Sequence, residues 1–373
     1  MWNVDIPSSD ELRTLAELRG PAVVSIYLPT TPVTADAQAD RIVLKNLADQ
    51  ARTGLEEAGV ASRAEVAEID EELADLVDDD DFWEHQAQGL AVIVTADHVW
   101  THRLPYTVTA QVHVSDRAHL KPLLSLTSFP MSCYVLALAE GEVRLVEVAA
   151  DLAPVPVRVP DMPRSASDAA SKASISGRSH SGRQVGSEGK RVHIRHYARR
   201  VDAALRPFLA GSTTPLVLAA VEPVRSIFRA VSSYPHLVDA VIETNPDRVT
   251  DQELAAAARE ILLEQQAAEL GSLAELFDTR SSQGRALTEL TDCARAATAG
   301  AVDTLIVDRE LFVEGTVADA GTVHTPETAQ GQVYGVVDEI ARRVLLTGGT
   351  VLSVDAAGVP GGQGFAAILR YPW

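Results

Sequence analysis

The sequence predicts an α/β (α+β) protein made of three successive units, and three observations lead there. Short apolar, β-branched runs such as PAVVSIYLP, GLAVIVT, PLVLAAV and DTLIVD alternate with longer stretches of helical period. The chain has 373 residues, more than one ordinary hydrophobic core organises. The strand and helix series also restarts twice, at the hairpin signature CYVLALAEGEVRLVEVA and at the capping box Thr250–Glu253. The expected units are 1–126, 127–248 with a basic loop at 172–190, and 249–373, all of one class and without an obvious repeat.

Within the first unit, Ser8 and Ser9 precede a short helix, DELRTLAELRG, whose first turn is acidic and which ends at Gly20. PAVVSIYLP reads as a buried strand. Helices are expected over Ala37–Ala58 and Arg63–Leu76, the second running into the acids Asp78, Asp79, Asp80 and Asp81, which read as a solvated helix end. GLAVIVT, VWTHRLP and TVTAQVHV are strands, the first two a hairpin through Ala96, Asp97 and His98. Arg117–Leu124 is amphipathic and closes the unit.

The second unit opens with the hairpin around Glu140 and Gly141. A long loop follows over Ser165–Gly189, then a helix that bends or ends near Pro207. PLVLAAV, VRSIFRAVSS and VDAVIE give strand, helix and strand. In the third unit, ELAAAAREILLEQQAAEL and Gln283–Ala299 are helices, the latter stopping at Gly300. DTLIVD is a strand, ADAGTVHTPET a polar excursion, Val333–Leu346 a helix ended by Gly348 and Gly349, and TVLSVD and FAAILRY the last strands.

Composition narrows the function classes. The formal charge is −20, which opposes general nucleic-acid affinity, so any RNA contact must be local and DNA is not an expected partner. No run of about 18 apolar residues exists, so no membrane span is expected. The acidic start MWNVDIPSSDELRTL lacks signal-peptide features. Cys133 and Cys293 match no zinc or redox spacing and read as buried thiols of a cytoplasmic protein. No GxxxxGK[ST], HExxH, EF-hand or GxSxG pattern is present, so no cofactor is expected.

Against this acidic background Lys172–Arg200 carries eight bases and one acid, Glu188. Its first half is Gly- and Ser-rich and reads as a mobile loop. In its second half Ile194, Tyr197, Ala198, Val201, Leu205 and Phe208 recur at helical spacing, while Arg191, Arg195 and Arg199 follow another face four apart. A basic loop mounted on a basic helix suits a polyanion. The candidate RNA-binding residues are Arg178, His180, Arg183, Gln184, Lys190, Arg191, Arg195 and Arg199. His193 and His196 stand three apart on the helix, but the surrounding arginines would repel a cation, so no metal is expected.

Further stretches carry a family likeness. SIYLPT, RIVLKNL, FWEHQAQGLAVIVT and RAHLKPLL lie in the first unit; HYARRVDAALRPFL, PLVLAAVEPVRSIFRAV and SYPHLVD in the second; AVDTLIVD, DEIARRVLLTGG and GFAAILRY in the third. With these the chain resembles the bacterial branch of the archaeo-eukaryotic release factor superfamily, relatives of Pelota and the hibernation factor Balon. The resemblance implies three domains, the last L7Ae-like, and a protein that enters the ribosomal A site. It also implies a middle-domain loop, here Ile175–Gly189, that reaches the peptidyl-transferase centre. Members that release peptides carry GGQ in that loop, whereas this chain reads Ser181, Gly182, Arg183, Gln184. The tripeptide Gly361–Gly362–Gln363 lies in a predicted turn near the C-terminus without basic surroundings, and the stop-codon motifs NIKS and YxCxxxF are absent.

The expectation is therefore a ribosome-associated, non-decoding factor of rescue, stress or hibernation that contacts rRNA or tRNA, with His180 and Gln184 near the loop tip. A translational GTPase such as elongation factor Tu is a candidate delivery partner. The alternatives are a cytosolic protein-interaction factor, supported by the −20 charge, and a peptidyl-tRNA or RNA hydrolase using Gln184 or His180.

Overall fold

The computed structural model describes residues 4–5, 7–33, 37–59, 61–129, 132–150, 152–170, 187–327 and 334–373, with the backbone alone at 187 and 188. The chain is mixed α/β throughout, as the sequence predicts. By contacts it forms two compact units, residues 130–265 and residues 3–129 joined with 266–373.

In chain order the first stretch contains α1 (Ser9–Glu17), β1 (Val23–Pro29), α2 (Ala37–Ala58), α3 (Arg63–Asp78), α4 (Asp80–Trp83), β2 (Gly89–Val94), β3 (Val99–Leu104), β4 (Gln111–Ser115) and α5 (Lys121–Ser128). Ser8 with Glu11, and Ser62 with Glu65, close capping boxes at α1 and α3, satisfying amides that a helix start leaves unpaired. The sheet runs β3-β2-β1-β4, antiparallel, with β1 inside it. Alternation along β1 serves two cores: Val24, Ile26 and Leu28 pack with Leu44, Leu47 and Leu55 of α2, while Val23 and Tyr27 face the opposite core.

The unit of residues 130–265 holds β5 (Ser132–Leu138), β6 (Val143–Ala149), β7 (Val155–Val157), α6 (166–170), α7 (Ser187–Phe208), β8 (Leu216–Ala219), α8 (Val224–Val231), β9 (Leu237–Ile242) and the first part of α9 (Asp251–Ser281). Its sheet has the order β7-β6-β5-β8-β9, antiparallel on one side of β5 and parallel on the other. Leu136 and Leu138 of β5 lie under α7 and α8, and Cys133, Val135 and Ala137 lie under Leu254, Ala255 and Ala258 of α9.

Beyond residue 265 come the rest of α9, β10 (Ala286–Leu287), α10 (Leu290–Thr298), β11 (Val302–Asp308), β12 (Glu314–Val317), β13 (Val323–His324), β14 (Tyr334–Gly335), α11 (Val336–Leu346), β15 (Thr350–Val354) and β16 (Phe365–Leu369). The sheet β10-β16-β11-β15 covers Leu270, Leu273 and Phe277 of α9 with one face. Its other face joins a core shared by residues from both ends of the chain, including Leu12, Leu15, Leu123, Leu305 and Ile340.

The structure moves several expected boundaries. Helix α5 starts four residues after the expected Arg117, because Pro122 sits in its first turn and a carboxylate from α11 binds the amides of Leu120 and Lys121. The expected strand TVTAQVHV is reduced to β4, which pairs with β1. Gln283–Ala299 is not one helix: Gly284 takes φ 65, β10 pairs with β16, and α10 begins only at Leu290. Part of the expected loop is ordered, since 166–170 is helical, Ala169 is buried and the Asp168 amide donates to the Ser165 hydroxyl at 3.2 Å.

Candidate nucleic-acid interface

Helix α7 earns its place by burying one stripe. Ile194, Tyr197, Ala198, Val201 and Leu205 are all buried against β5, β8 and α8. Another stripe is exposed and basic, with Arg191, Arg195 and Arg199 facing solvent, and Lys190 is exposed at the helix start in the row of Ile194. The spacing of four residues aligns Arg191, Arg195 and Arg199 over about 12 Å of helix. Lys190 reaches Glu140 of the β5–β6 turn at 2.9 Å; both side chains are largely exposed, so this pair contributes little and opens readily to a competing anion. Arg200 is not part of the stripe, because its guanidinium donates to the Ala169 carbonyl and pins α6. His193 and His196 are exposed beside the arginines, and no group of three or more metal-ligating side chains occurs among the described residues.

Of the residues named from sequence, the structure brings Lys190, Arg191, Arg195 and Arg199 onto one helix. Arg178, His180, Arg183 and Gln184 lie outside the described residues. Gly361, Gly362 and Gln363 form the turn before β16, with φ 77 and 68 at the two glycines, values that glycine adopts without strain. Buried Tyr197 leaves its hydroxyl without a hydrogen-bond partner, and burial pushes its ionisation well up.

The sequence reading missed a buried ionic cluster in the unit containing both ends of the chain. Asp338 and Glu339 are the third and fourth residues of α11, and both are buried. Glu339 accepts from Arg342 (2.6 and 2.9 Å) and Arg343 (2.7 Å) and pairs with Arg117 at 2.5 Å. Burial alone would raise its carboxyl, but these three guanidinium groups bring it down to about 2. Asp338 accepts the Leu120 and Lys121 amides at 2.8 Å each and lies 3.5 Å from His119. There desolvation wins over the amides and raises the carboxyl to about 6. His119 stacks on His113, with ring centroids 4.0 Å apart, and burial lowers both rings to about 3, so both are neutral at pH 7. The signal available in the sequence was VVDEIARR, where two acids interrupt the apolar stripe of a helix.

Among the described residues no helix is long and apolar enough to cross a membrane. Residues 130–268 match the family model described as bacterial archaeo-eukaryotic release factor family 11. No curated protein matches the chain. Solved structures that resemble it include a ribosome-bound model of archaeal Pelota (15% identity, 99% of this chain and 96% of that one, TM-score 0.41). Two others are Dom34 of S. cerevisiae, a translation termination-like factor (12%, 76% and 80%, TM-score 0.40), and the archaeal termination factor aRF1 (13%, 98% and 99%, TM-score 0.24). Likenesses this weak carry no argument by themselves. The release-factor resemblance read from the sequence holds through the family match: residues 130–268, basic helix included, are similar to bacterial archaeo-eukaryotic release factor family 11.

Proposed function

We propose that this chain is a ribosome-associated, release-factor-like protein that binds rRNA or tRNA through α7 and the segment before it, without decoding a stop codon. The observation that carries this reading is the solvent-facing stripe of Arg191, Arg195 and Arg199 on a chain of charge −20, inside the segment that matches the release-factor family. The family match supports a translation-related role; rescue, stress response or hibernation, and delivery by a translational GTPase such as elongation factor Tu, are the finer parts of the proposal. The expected loop position reads Ser181-Gly182-Arg183-Gln184 rather than GGQ, which favours occupancy over peptide release. Arg178, His180, Arg183 and Gln184 belong to the proposed contact on sequence grounds. We also propose the three domains 1–126, 127–248 and 249–373, the last L7Ae-like, as the units inherited from that superfamily.

Ribosome cosedimentation across salt tests the reading. Four or five phosphate contacts predict a log–log slope of roughly −3 to −4.5, at about 0.7 to 0.9 per phosphate. A flat salt dependence, or no binding at low salt, favours the protein-interaction alternative that the acidic charge suggests.

A further inference from the structure

Beside the buried ionic cluster a cavity of about 350 Å3 opens, lined by β4, the segment before α5, Phe312 and the start of α11. A neighbouring cavity of about 390 Å3 shares His113, His119 and Phe312 with it. Both fall within the range of about 300 to 1,000 Å3 typical of small-molecule sites. None of these residues is used by the RNA-binding reading above, and they lie in the other unit of the chain.

The walls are flat and aromatic. His119 and His113 stack with their planes 26° apart, and Phe312 packs beside both rings, its centroid 5.3 Å from His113 at 37° and 6.2 Å from His119 at 63°. Phe312 is 43% exposed, one of several large apolar side chains that reach solvent among the described residues. Gly335 makes this placement possible: a Cβ there would lie 2.9 Å from the Phe312 ring. On another wall the Arg117 guanidinium lies 3.7 Å from the centre of the Tyr334 ring.

The polar lining selects for hydrogen-bond donors. Arg117 is already engaged by Asp116 and Glu339, so it offers an incoming anion little. Glu314 is exposed and presents acceptor oxygens, and Asp338 also lines the cavity, with one of its two oxygens taken by the Leu120 and Lys121 amides. The imidazoles are neutral, because burial disfavours their protonation, and so act as π surfaces rather than cations. A phosphate would meet carboxylates here, whereas a flat ring bearing N–H groups would meet stacking faces and acceptors.

We propose that this cavity binds a planar heteroaromatic ring with an exocyclic amino group, the chemistry of an adenine or cytosine base, stacked on Phe312. The ring can come from a free nucleoside or from an unstacked base of RNA. The test titrates the full chain with adenosine, cytidine, uridine and argininamide, and with oligoadenylate and oligouridylate, by calorimetry. Adenosine and cytidine should bind more tightly than uridine, which lacks the amino group. Phe312→Ala should weaken them roughly tenfold, the loss expected from removing one stacking partner. Phe312→Leu, which keeps apolar packing but not the ring, should do the same, while Tyr371→Ala at another exposed aromatic changes nothing. Binding of the nucleosides identifies a free ligand; binding of oligoadenylate alone, with the same dependence on Phe312, identifies an RNA base. Failure of every probe, indifference to Phe312, equal binding of uridine, or a preference for argininamide overturns the assignment.

Discussion

Glu339 shows at residue scale how burial turns a charge into a constraint. Its side chain is 1% exposed and four arginines, Arg19, Arg117, Arg342 and Arg343, pair with it, so removing its charge strands cations in a low-dielectric site. Glu339→Gln should cost about 3 to 5 kcal/mol, the usual loss when one partner of a buried ion pair is removed, measured by urea unfolding. Tyr197 is the opposite case. Its hydroxyl is buried without a partner, so Tyr197→Phe should be neutral or stabilising by up to about 1 kcal/mol in the same assay. The histidines and Asp338 give the cluster a pH dependence of definite sign. His113 and His119 titrate at about 3 in the folded chain against 6.5 ordinarily, so the stability of their neutral forms is complete above pH 6.5 and is lost as pH falls below it. Asp338, raised to about 6 from 3.8, works the other way and takes up its proton first in the folded state. Between pH 6 and 4.5 unfolding therefore gains two protons and loses one, a net slope of about 1.4 kcal/mol per pH unit. Below 4.5 the depressed Glu339 adds to the loss. His119→Gln should reduce the slope of unfolding free energy against pH by about 1.4 kcal/mol per unit; an unchanged slope would show that the ring is not held neutral by burial.

Elements were legible wherever local chemistry and burial agreed. The limits of α2 coincide with the expected Ala37–Ala58, and the capping box Thr250–Glu253 forms at α9. Strand runs were legible because β1, β5, β8 and β11 are buried on both faces, which leaves a continuous apolar signature. Errors fell where distant groups decide. The start of α5 depends on Asp338, more than two hundred residues away, and the break between α9 and α10 depends on β10 pairing with β16. The basic stripe of α7 followed from spacing alone, whereas the cluster around Asp338 and Glu339 needs parts of the chain that no local window contains. The same logic hid the Phe312 cavity, whose walls come from three separate segments.

On the scale of the whole molecule, a strongly acidic chain carries a row of three exposed arginines, four residues apart, along one helix. Each unit encloses its own apolar cores, and the stripe contributes nothing to them: Arg191, Arg195 and Arg199 are exposed, while the buried residues of α7 lie on another face. Replacing the three arginines by alanine should therefore leave the urea midpoint nearly unchanged, which separates binding from folding. The most direct measurement is cosedimentation of parent and Arg191→Ala/Arg195→Ala/Arg199→Ala proteins with ribosomes across roughly 50 to 300 mM salt. The account predicts weaker binding of the triple variant and a log–log slope flatter by about two to three units. A triple variant that sediments with ribosomes like the parent at every salt concentration contradicts it.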